Sequence, residues 1–138
     1  IEEELKYEFW GEIDWFQRGW TLWVGLLDNR PVILSWTRNA SQCKDFYCPI
    51  EENSFLIWQT VTFHGYRGMG LFPLILMHIS KSFFVQNAFR VYGSCRDYNY
   101  PSSRAMLKVG FKHIGCATKN RYTGKTRFIP VNKCSFEN

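Results

Sequence analysis

The segment that most constrains the fold is a glycine-rich stretch, residues 64–70, which separates two apolar segments of different character. The preceding residues, 54–63, are rich in aromatic and β-branched side chains and predict a strand. The following residues, 74–84, are mostly apolar and predict a largely buried helix. Pro73 suits the first turn of that helix, because its φ is fixed and it has no N–H to leave unpaired. The centre of the chain is therefore predicted to be a strand–glycine loop–helix unit.

A loop of this kind can bind an anion. It turns successive backbone N–H groups toward one point, at the positive end of the helix dipole. Gly68 and Gly70 permit positive φ and close approach of a ligand, and Arg67 adds a permanent charge. The pattern indicates a phosphate or pyrophosphate cradle. It is not a Walker loop, since no Gly-Lys-Ser/Thr follows, and it lacks the third glycine and downstream acid of the dinucleotide fingerprint.

The rest of the chain predicts one mixed α/β domain, and 138 residues are enough for a single core. Apolar positions predict a helix over 2–16, and Ser102 or Ser103 could cap a later helix that runs to Val109. Strands are predicted at 21–27, 32–38, 54–63, 90–95, 111–118 and 127–131, with a turn at 28–31 and a loop at 39–53. The six tryptophans are predicted to lie mainly in the core.

The charge is divided unequally along the chain. Residues 1–53 carry ten acids and five bases, whereas residues 54–138 carry twelve bases and only two acids, Asp97 and Glu137. A back half this basic favours an anionic partner, which could be nucleic acid, an anionic membrane surface or a phosphorylated cofactor. The alternative is a solvated basic face.

Several classes of protein are disfavoured. The longest apolar run, residues 71–77, is far short of the ~20 residues that a membrane span needs. Five cysteines without a C-x-x-C pair favour reduced thiols in the cytoplasm over a disulfide framework or a zinc site, and no metal is expected. Cys95 is expected to be buried packing and His78 a packed core histidine. The chain opens at Ile1 without an initiator Met, which leaves open a missing N-terminal piece.

Residues 61–76 resemble the acetyl-coenzyme A signature of the GNAT N-acetyltransferases. That signature has an apolar strand end, then Arg or Gln, two residues, Gly, one residue, Gly or Ala, and a helix. Arg67 and Gly70 match the first two marked positions. Phe72 stands where the family usually has a small residue, so its ring is expected to point away from the pyrophosphate, into the core.

A second block lies about thirty residues further on. Residues 99–111 are similar to the family's later motif, an Asn, a short helix and a closing Lys-x-Gly-Phe, which here is Lys108 to Phe111. The resemblance covers residues 21–131. It implies the GNAT fold over a single domain, 1–138: a central, mixed, mostly antiparallel and splayed sheet flanked by helices.

The resemblance also implies the residues that bind acetyl-CoA. The strand edge at Val61 and Phe63 would pair with the pantetheine arm, which Asn99 would also contact. The pyrophosphate would lie on the glycine loop beside Arg67, and Lys108 or Arg104 could meet the nucleotide phosphate. The implied cofactor-binding set is Val61, Phe63, Arg67, Gly68, Met69, Gly70, Leu71, Phe72, Asn99, Ser102 and Lys108.

The implied reaction is direct attack of an amine on the thioester, with a small primary amine, such as an amino sugar, as acceptor. Asp97 is the favoured base, although it could equally be a turn residue, and His64, Glu51 and Glu52 are alternatives. Many relatives use a Tyr as the acid where this chain has Met106. The substitutes for that acid are Tyr98, Tyr100, Ser102 and Ser103, or the thiolate leaves unassisted.

Three other functions remain open at the level of sequence. The missing Tyr is compatible with a non-catalytic domain that binds acetyl-CoA, and the acceptor could be a protein or peptide. A nucleic-acid module is disfavoured, because the chain has no basic helix stripe and no paired aromatic strand motif. The coenzyme explains the positive charge more economically. No membrane partner is expected, and a homodimer is left open.

Overall fold

A computed structural model describes residues 13–133 and contains a four-stranded sheet with the order β1-β2-β3-β4. Its strands are β1 (Thr21–Leu27), β2 (Arg30–Asn39), β3 (Phe55–Thr62) and β4 (Val91–Gly93). The first three strands are antiparallel, and β3 and β4 are parallel. Asp28 and Asn29 both have positive φ at the β1–β2 turn, the conformation that matches the twist of a two-residue hairpin.

Three helices and a hairpin complete the described chain. The helices are α1 (Ile13–Gln17), α2 (Leu71–Val85) and α3 (Tyr100–Lys108), and a separate two-stranded sheet contains β5 (Gly115–Lys119) and β6 (Thr126–Pro130). Residues 40–42, 64–66 and 131–133 form 3-10 turns. The predicted order of elements is confirmed from residue 13 onward, and the predicted helix over 2–16 lies mostly outside the described residues.

Several element boundaries differ from the prediction by a few residues, and local hydrogen bonds explain two of these differences. Helix α3 begins at Tyr100, before Ser102, because the side chain of Asn99 caps it by accepting from the Ser102 N–H at 3.3 Å. Strand β5 begins at Gly115 rather than at residue 111. The N–H of Phe111 closes the end of α3 on the Met106 carbonyl, at 3.0 Å, and so the chain is not yet extended there.

The main core lies between α2 and one face of the sheet. The α2 side chain of Phe83 stacks on Phe55 with 3.8 Å between ring centroids, and Trp23 contacts Phe83 edge-on at 5.7 Å. Burial of this apolar face is the main stabilising contribution of the fold. The buried cluster comprises Val32, Ile33, Ile57, Ile75, Leu76, Ile79 and Phe83.

The opposite face of the sheet is covered by aromatic side chains. Trp36 is buried there, and the rings of Trp15 and Phe16 on α1 pack against it at 5.4 Å and 4.7 Å. The expectation that the tryptophans are mainly core is confirmed for Trp20 and Trp36, and the other three in the described range, Trp15, Trp23 and Trp58, are half-buried. Trp10 lies outside the described residues.

Two predictions of burial are wrong. His78 is exposed on α2, although its ring lies 6.0 Å from that of Trp23, and Cys95 is exposed in the segment after β4. Partial burial nevertheless raises the pKa of the Cys95 thiol, which keeps it protonated and a poor nucleophile. Cys43, Cys48, Cys95 and Cys116 are thiols rather than members of a disulfide.

Candidate active site

The parallel strands β3 and β4 pair at one end and separate at the other. The pairs are Phe55 with Val91, Leu56 with Tyr92 and Ile57 with Gly93. Strand β4 ends at that point, whereas β3 continues to Thr62. One edge of β3, residues 58–62, therefore has no strand partner within the described range. We call these residues the open edge.

A β-bulge lies where the strands separate. Ser35 pairs with Thr60 and Thr37 with Ile57, so Trp36 on β2 lies opposite two residues of β3, Trp58 and Gln59. A bulge adds one residue to one strand and increases its twist locally. The bulge thus turns β3 away from β4 immediately after their last pair.

The bulge also decides which backbone groups face the opening. The N–H of Phe63 donates to the Val32 carbonyl at 3.0 Å, so Phe63 faces β2. Backbone groups alternate between the two sides of a strand, so those of Val61 also face β2. Thr60 and Thr62 therefore face the opening, and the Thr62 carbonyl accepts from Arg67 Nε at 3.2 Å. The expectation that Val61 and Phe63 offer the free edge is corrected by one residue.

The glycine loop opens beside this edge. Gly68 and Gly70 have φ of 78° and 74°, and a methyl group added to either would meet nothing within 4 Å. No side chain caps α2, and no loop hydrogen bond among the described residues uses the backbone N–H of residues 68–72. Since Pro73 has no N–H, the available donors end at Phe72. This arrangement of unpaired N–H groups at a helix N-terminus fits a pyrophosphate.

The side chains of the loop point in two directions. Leu71 and Phe72 pack against the buried cluster, which confirms that the Phe72 ring turns into the core. Met69 is 55% exposed, and Arg67 is exposed while its Nε donates to the strand end. The unusual Phe at position 72 therefore leaves the space above the glycines open.

The later motif lies on α3. Asn99 Oδ1 is used in the cap, which leaves its amide group as a donor for a ligand, and Ser102 is half-buried in the same turn. Lys108 is exposed in the last turn of α3. Met106 packs against the core, and a methyl group added to Gly93 would lie 2.6 Å from its Cε. Met106 therefore covers the end of β4 where the two strands separate.

The three predicted catalytic residues lie at the same edge of the sheet as the glycine loop. His64 lies two residues after β3, and Asp97 and Tyr98 follow β4. The carboxyl ends of these two parallel strands lie at the same edge of the sheet. All three are exposed, and Tyr98 is 70% exposed. Asp97 Oδ1 accepts from the Tyr98 N–H at 2.9 Å, which is the turn role considered as its alternative. The other carboxylate oxygen of Asp97 remains available to accept a proton.

Glu51 lies at the other end of the strand pair. Its carboxylate accepts from Arg90 Nη1 at 2.6 Å and from the Tyr92 hydroxyl, and Arg90 directly precedes β4. These hydrogen bonds lower the pKa of Glu51, whereas burial and the same bond raise the pKa of Tyr92. A carboxylate held in an ion pair at the far end of the sheet does not suit the role of base, and this candidate is set aside.

Other site features are absent from the described range. No group of three His, Cys, Asp or Glu side chains there could hold a metal ion, and none of its helices is long and apolar enough to cross a membrane. An open depression of ≈ 450 Å³ is lined only by the β5–β6 hairpin and includes none of the predicted site residues.

A mixed, mostly antiparallel sheet that opens beside a glycine loop is the arrangement of the GNAT N-acetyltransferases, and the predicted fold is confirmed. No family model matches the chain, and no curated protein matches it either. Eight solved acetyltransferase structures share the fold at 8–16% identity.

Three of these structures illustrate the range. The aminoglycoside N-acetyltransferase AAC(6')-Iy with a bisubstrate CoA analogue has a TM-score of 0.66 and 9% identity, over 84% of this chain and 85% of that one. The ribosomal-protein-S18-alanine N-acetyltransferase of Escherichia coli has a TM-score of 0.63 and 13% identity, over 86% and 72%. A putative acetyltransferase from Agrobacterium tumefaciens has a TM-score of 0.61 and 16% identity, over 81% and 78%.

Proposed function

We propose that the chain is an acetyl-CoA-dependent N-acetyltransferase that acetylates a primary amine of a small molecule. The observation that carries this proposal is the open edge of β3 beside a glycine loop with unpaired N–H groups. Neighbours of the same fold are aminoglycoside N-acetyltransferases in complex with CoA or a CoA-containing analogue. An amino sugar is accordingly the acceptor that we would test first. The four cysteines that the structure describes are thiols, which suits a reducing compartment such as the cytoplasm.

The residues present fit the coenzyme. The backbone N–H groups of Met69, Gly70 and Leu71 would bind the pyrophosphate, with Arg67 beside them. Bound acetyl-CoA supplies the activated acetyl thioester. Thr60 and Thr62 would pair with its pantetheine arm along the open edge, where the Asn99 amide group adds a donor. Lys108 or Arg104 would neutralise the nucleotide phosphate.

The proposed chemistry uses the residues beyond the carboxyl ends of β3 and β4. Asp97, or His64 as the alternative, would accept the proton that the amine loses on attack, and Tyr98 would donate a proton to the departing sulfur. Holding the two reactants in line supplies much of the rate enhancement. Met106 has no proton to give, so an assisted departure depends on Tyr98 or on a hydroxyl of α3.

Titration calorimetry with acetyl-CoA tests the cradle. We expect Gly70→Asp to weaken binding at least about a hundredfold, because the carboxylate would occupy the open space and repel the pyrophosphate. Gly124→Asp is a matched control, since Gly124 also has positive φ (69°) and an empty surrounding but lies in the β5–β6 hairpin. Wild-type affinity in the Gly70 variant, or no binding by the wild type, would refute the proposal.

A non-catalytic domain that binds acetyl-CoA is the second candidate, favoured by the position of Met106 over the end of β4. Release of free thiol from acetyl-CoA separates the two functions. The acceptor panel should contain amino sugars, an aminoglycoside and a peptide with N-terminal alanine. Turnover with an amine supports the enzyme, and tight binding without turnover by any amine supports the second function.

A further inference from the structure

Arg38 on β2 lies behind the β-bulge and is the most completely buried charged side chain among the described residues. We propose that Arg38 is a positioning residue that holds Trp58 in the bulge and thereby sets the open edge for the coenzyme. The second part of this inference rests on the proposed function, whereas the first part concerns the sheet alone.

The guanidinium of Arg38 lies over two indole rings. Its side chain is 3% exposed, and its Cζ lies 4.2 Å from the ring centroid of Trp20 and 5.3 Å from that of Trp58. A cation over an aromatic face is attracted by the ring, more strongly where water is excluded. Because Trp58 is one of the two bulge residues, Arg38 contacts the bulge directly.

Arg38 also forms hydrogen bonds to the loop after β2. Its Nη2 donates to Asp45 Oδ1 at 2.5 Å and to the Gln42 carbonyl, while its Nε has no partner within the described range. The same loop places Phe46 edge-on to Trp58, with 6.1 Å between centroids. Trp58 therefore contacts both Arg38 and Phe46, and Phe46 belongs to the loop that Arg38 binds through Asp45.

Burying the charge of Arg38 costs free energy, because the guanidinium loses its hydration. A buried ion is stabilised only where its partners compensate for lost hydration, and here one carboxylate that is 72% exposed and one carbonyl do so incompletely. An apolar side chain on this strand would avoid that cost. The arginine instead provides a flat cation that contacts two indole rings and donates to the loop with the same group.

The bulge matters because it determines which backbone groups of β3 face β2 and which face the opening. On the other side of the bulge, Ser35 Oγ and Thr60 Oγ1 form a hydrogen bond of 2.8 Å. If Trp58 were released and the bulge were lost, β3 beyond residue 57 would pair with β2 in a register shifted by one residue. That shift would turn the backbone groups of Val61 and Phe63 toward the opening in place of those of Thr60 and Thr62.

The experiment compares Arg38→Met, Arg38→Lys and Asp45→Asn with Arg90→Met, which removes the arginine of the exposed ion pair at the other end of the strand pair. Amide hydrogen exchange of residues 58–62 is measured without ligand, and the Kd for acetyl-CoA is measured by calorimetry. We expect Arg38→Met to accelerate exchange within 58–62 at Val61, whose N–H faces β2, and to raise Kd about tenfold. Arg38→Lys should recover part of both, and Arg90→Met should leave both within about twofold of wild type.

Each outcome decides the proposal. Unchanged exchange and Kd in a folded Arg38→Met protein overturn it, as does faster exchange that is equal at residues 91–93, which would indicate general loosening. If Arg38→Met does not fold, Asp45→Asn carries the test, with the same pattern expected at about threefold. Wild-type protein that does not bind acetyl-CoA refutes the proposed function and the coenzyme part of this inference, while local exchange still confirms or overturns the hold on the bulge.

Discussion

The two ends of the β3–β4 pair are built from the same strands and serve opposite purposes. At the amino end, the Phe55 N–H donates to the Arg90 carbonyl at 3.0 Å, and the Phe89 N–H donates to the Asn53 carbonyl at 2.8 Å. Asn53 Nδ2 donates in turn to the Asn87 carbonyl at 2.7 Å. These bonds connect the loop before β3 to the segment before β4, and this end of the pair is closed.

At the carboxyl end the ladder stops after Ile57 and Gly93. Backbone groups of Thr60 and of the glycine loop there face open space rather than another strand. Unpaired backbone groups are normally avoided in a fold, because their hydrogen bonds are lost. The difference teaches that hydrogen bonds at the closed end hold the two strands together, so the other end can stay open.

The largest expected effect tests where stability resides. Phe83→Ala, beneath the closed end, should lower the free energy of unfolding by about 3–5 kcal/mol, because it removes the ring stacked on Phe55. Met69→Ala at the open end should change it by less than about 0.5 kcal/mol, since that side chain is 55% exposed. Urea denaturation measures both. Equal losses would show that the two ends contribute alike.

A smaller effect is expected where the strands part. Gly93→Ala should destabilise by no more than about 1 kcal/mol, because the new methyl group presses only on the terminal Cε of Met106, a flexible side chain that can move aside. Met106→Ala removes that obstruction, so the double variant should be less destabilised than the two single changes predict, with a coupling of at least about 0.5 kcal/mol. A double-variant cycle by denaturation measures this coupling. Strict additivity would mean that the two side chains do not meet.

The smallest expected effect is the acid sensitivity of the closed end. Hydrogen bonds from Tyr92 and Arg90 lower the pKa of Glu51 from its usual value of 4.5. The ionised carboxylate therefore stabilises the folded state at pH values above that usual pKa. This contribution is lost as the pH falls through the lowered pKa, below about pH 5. Glu51→Gln should therefore flatten the decline of the urea midpoint in acid, modestly, because the carboxylate is 39% exposed. Parallel curves for the two proteins would contradict this prediction.

The sequence predicted most of the fold because most of its signals are local. Periodicity and turn residues within short windows predict the hairpin of β1 and β2 and the helix whose first turn contains Pro73. They also predict the order of the strands along the chain. The conformation of the glycine loop was also predictable, since positive φ at Gly68 and Gly70 favours glycine whatever surrounds it. The cap of α3 was misassigned because three neighbouring residues, Asn99, Ser102 and Ser103, can all cap a helix.

The bulge and its consequences could not be read from the sequence. Nothing in residues 58–62 indicates that two residues will lie opposite Trp36, because that count depends on which residues of β2 pair on either side. The role of Arg38 was likewise invisible, since Trp20, Asp45 and Trp58 come together only when three separate segments pack.

The sequence by itself determined that this chain forms a strand–glycine loop–helix unit with a basic back half, because backbone preference and charge belong to residues individually. Only the tertiary structure decided that β3 parts from β4 after Ile57 and that Thr60 and Thr62, rather than Val61 and Phe63, face the opening. The physical reason is that strand register is a long-range property. One inserted residue reverses which side every later backbone group faces, and only the pairing strand fixes where that residue lies.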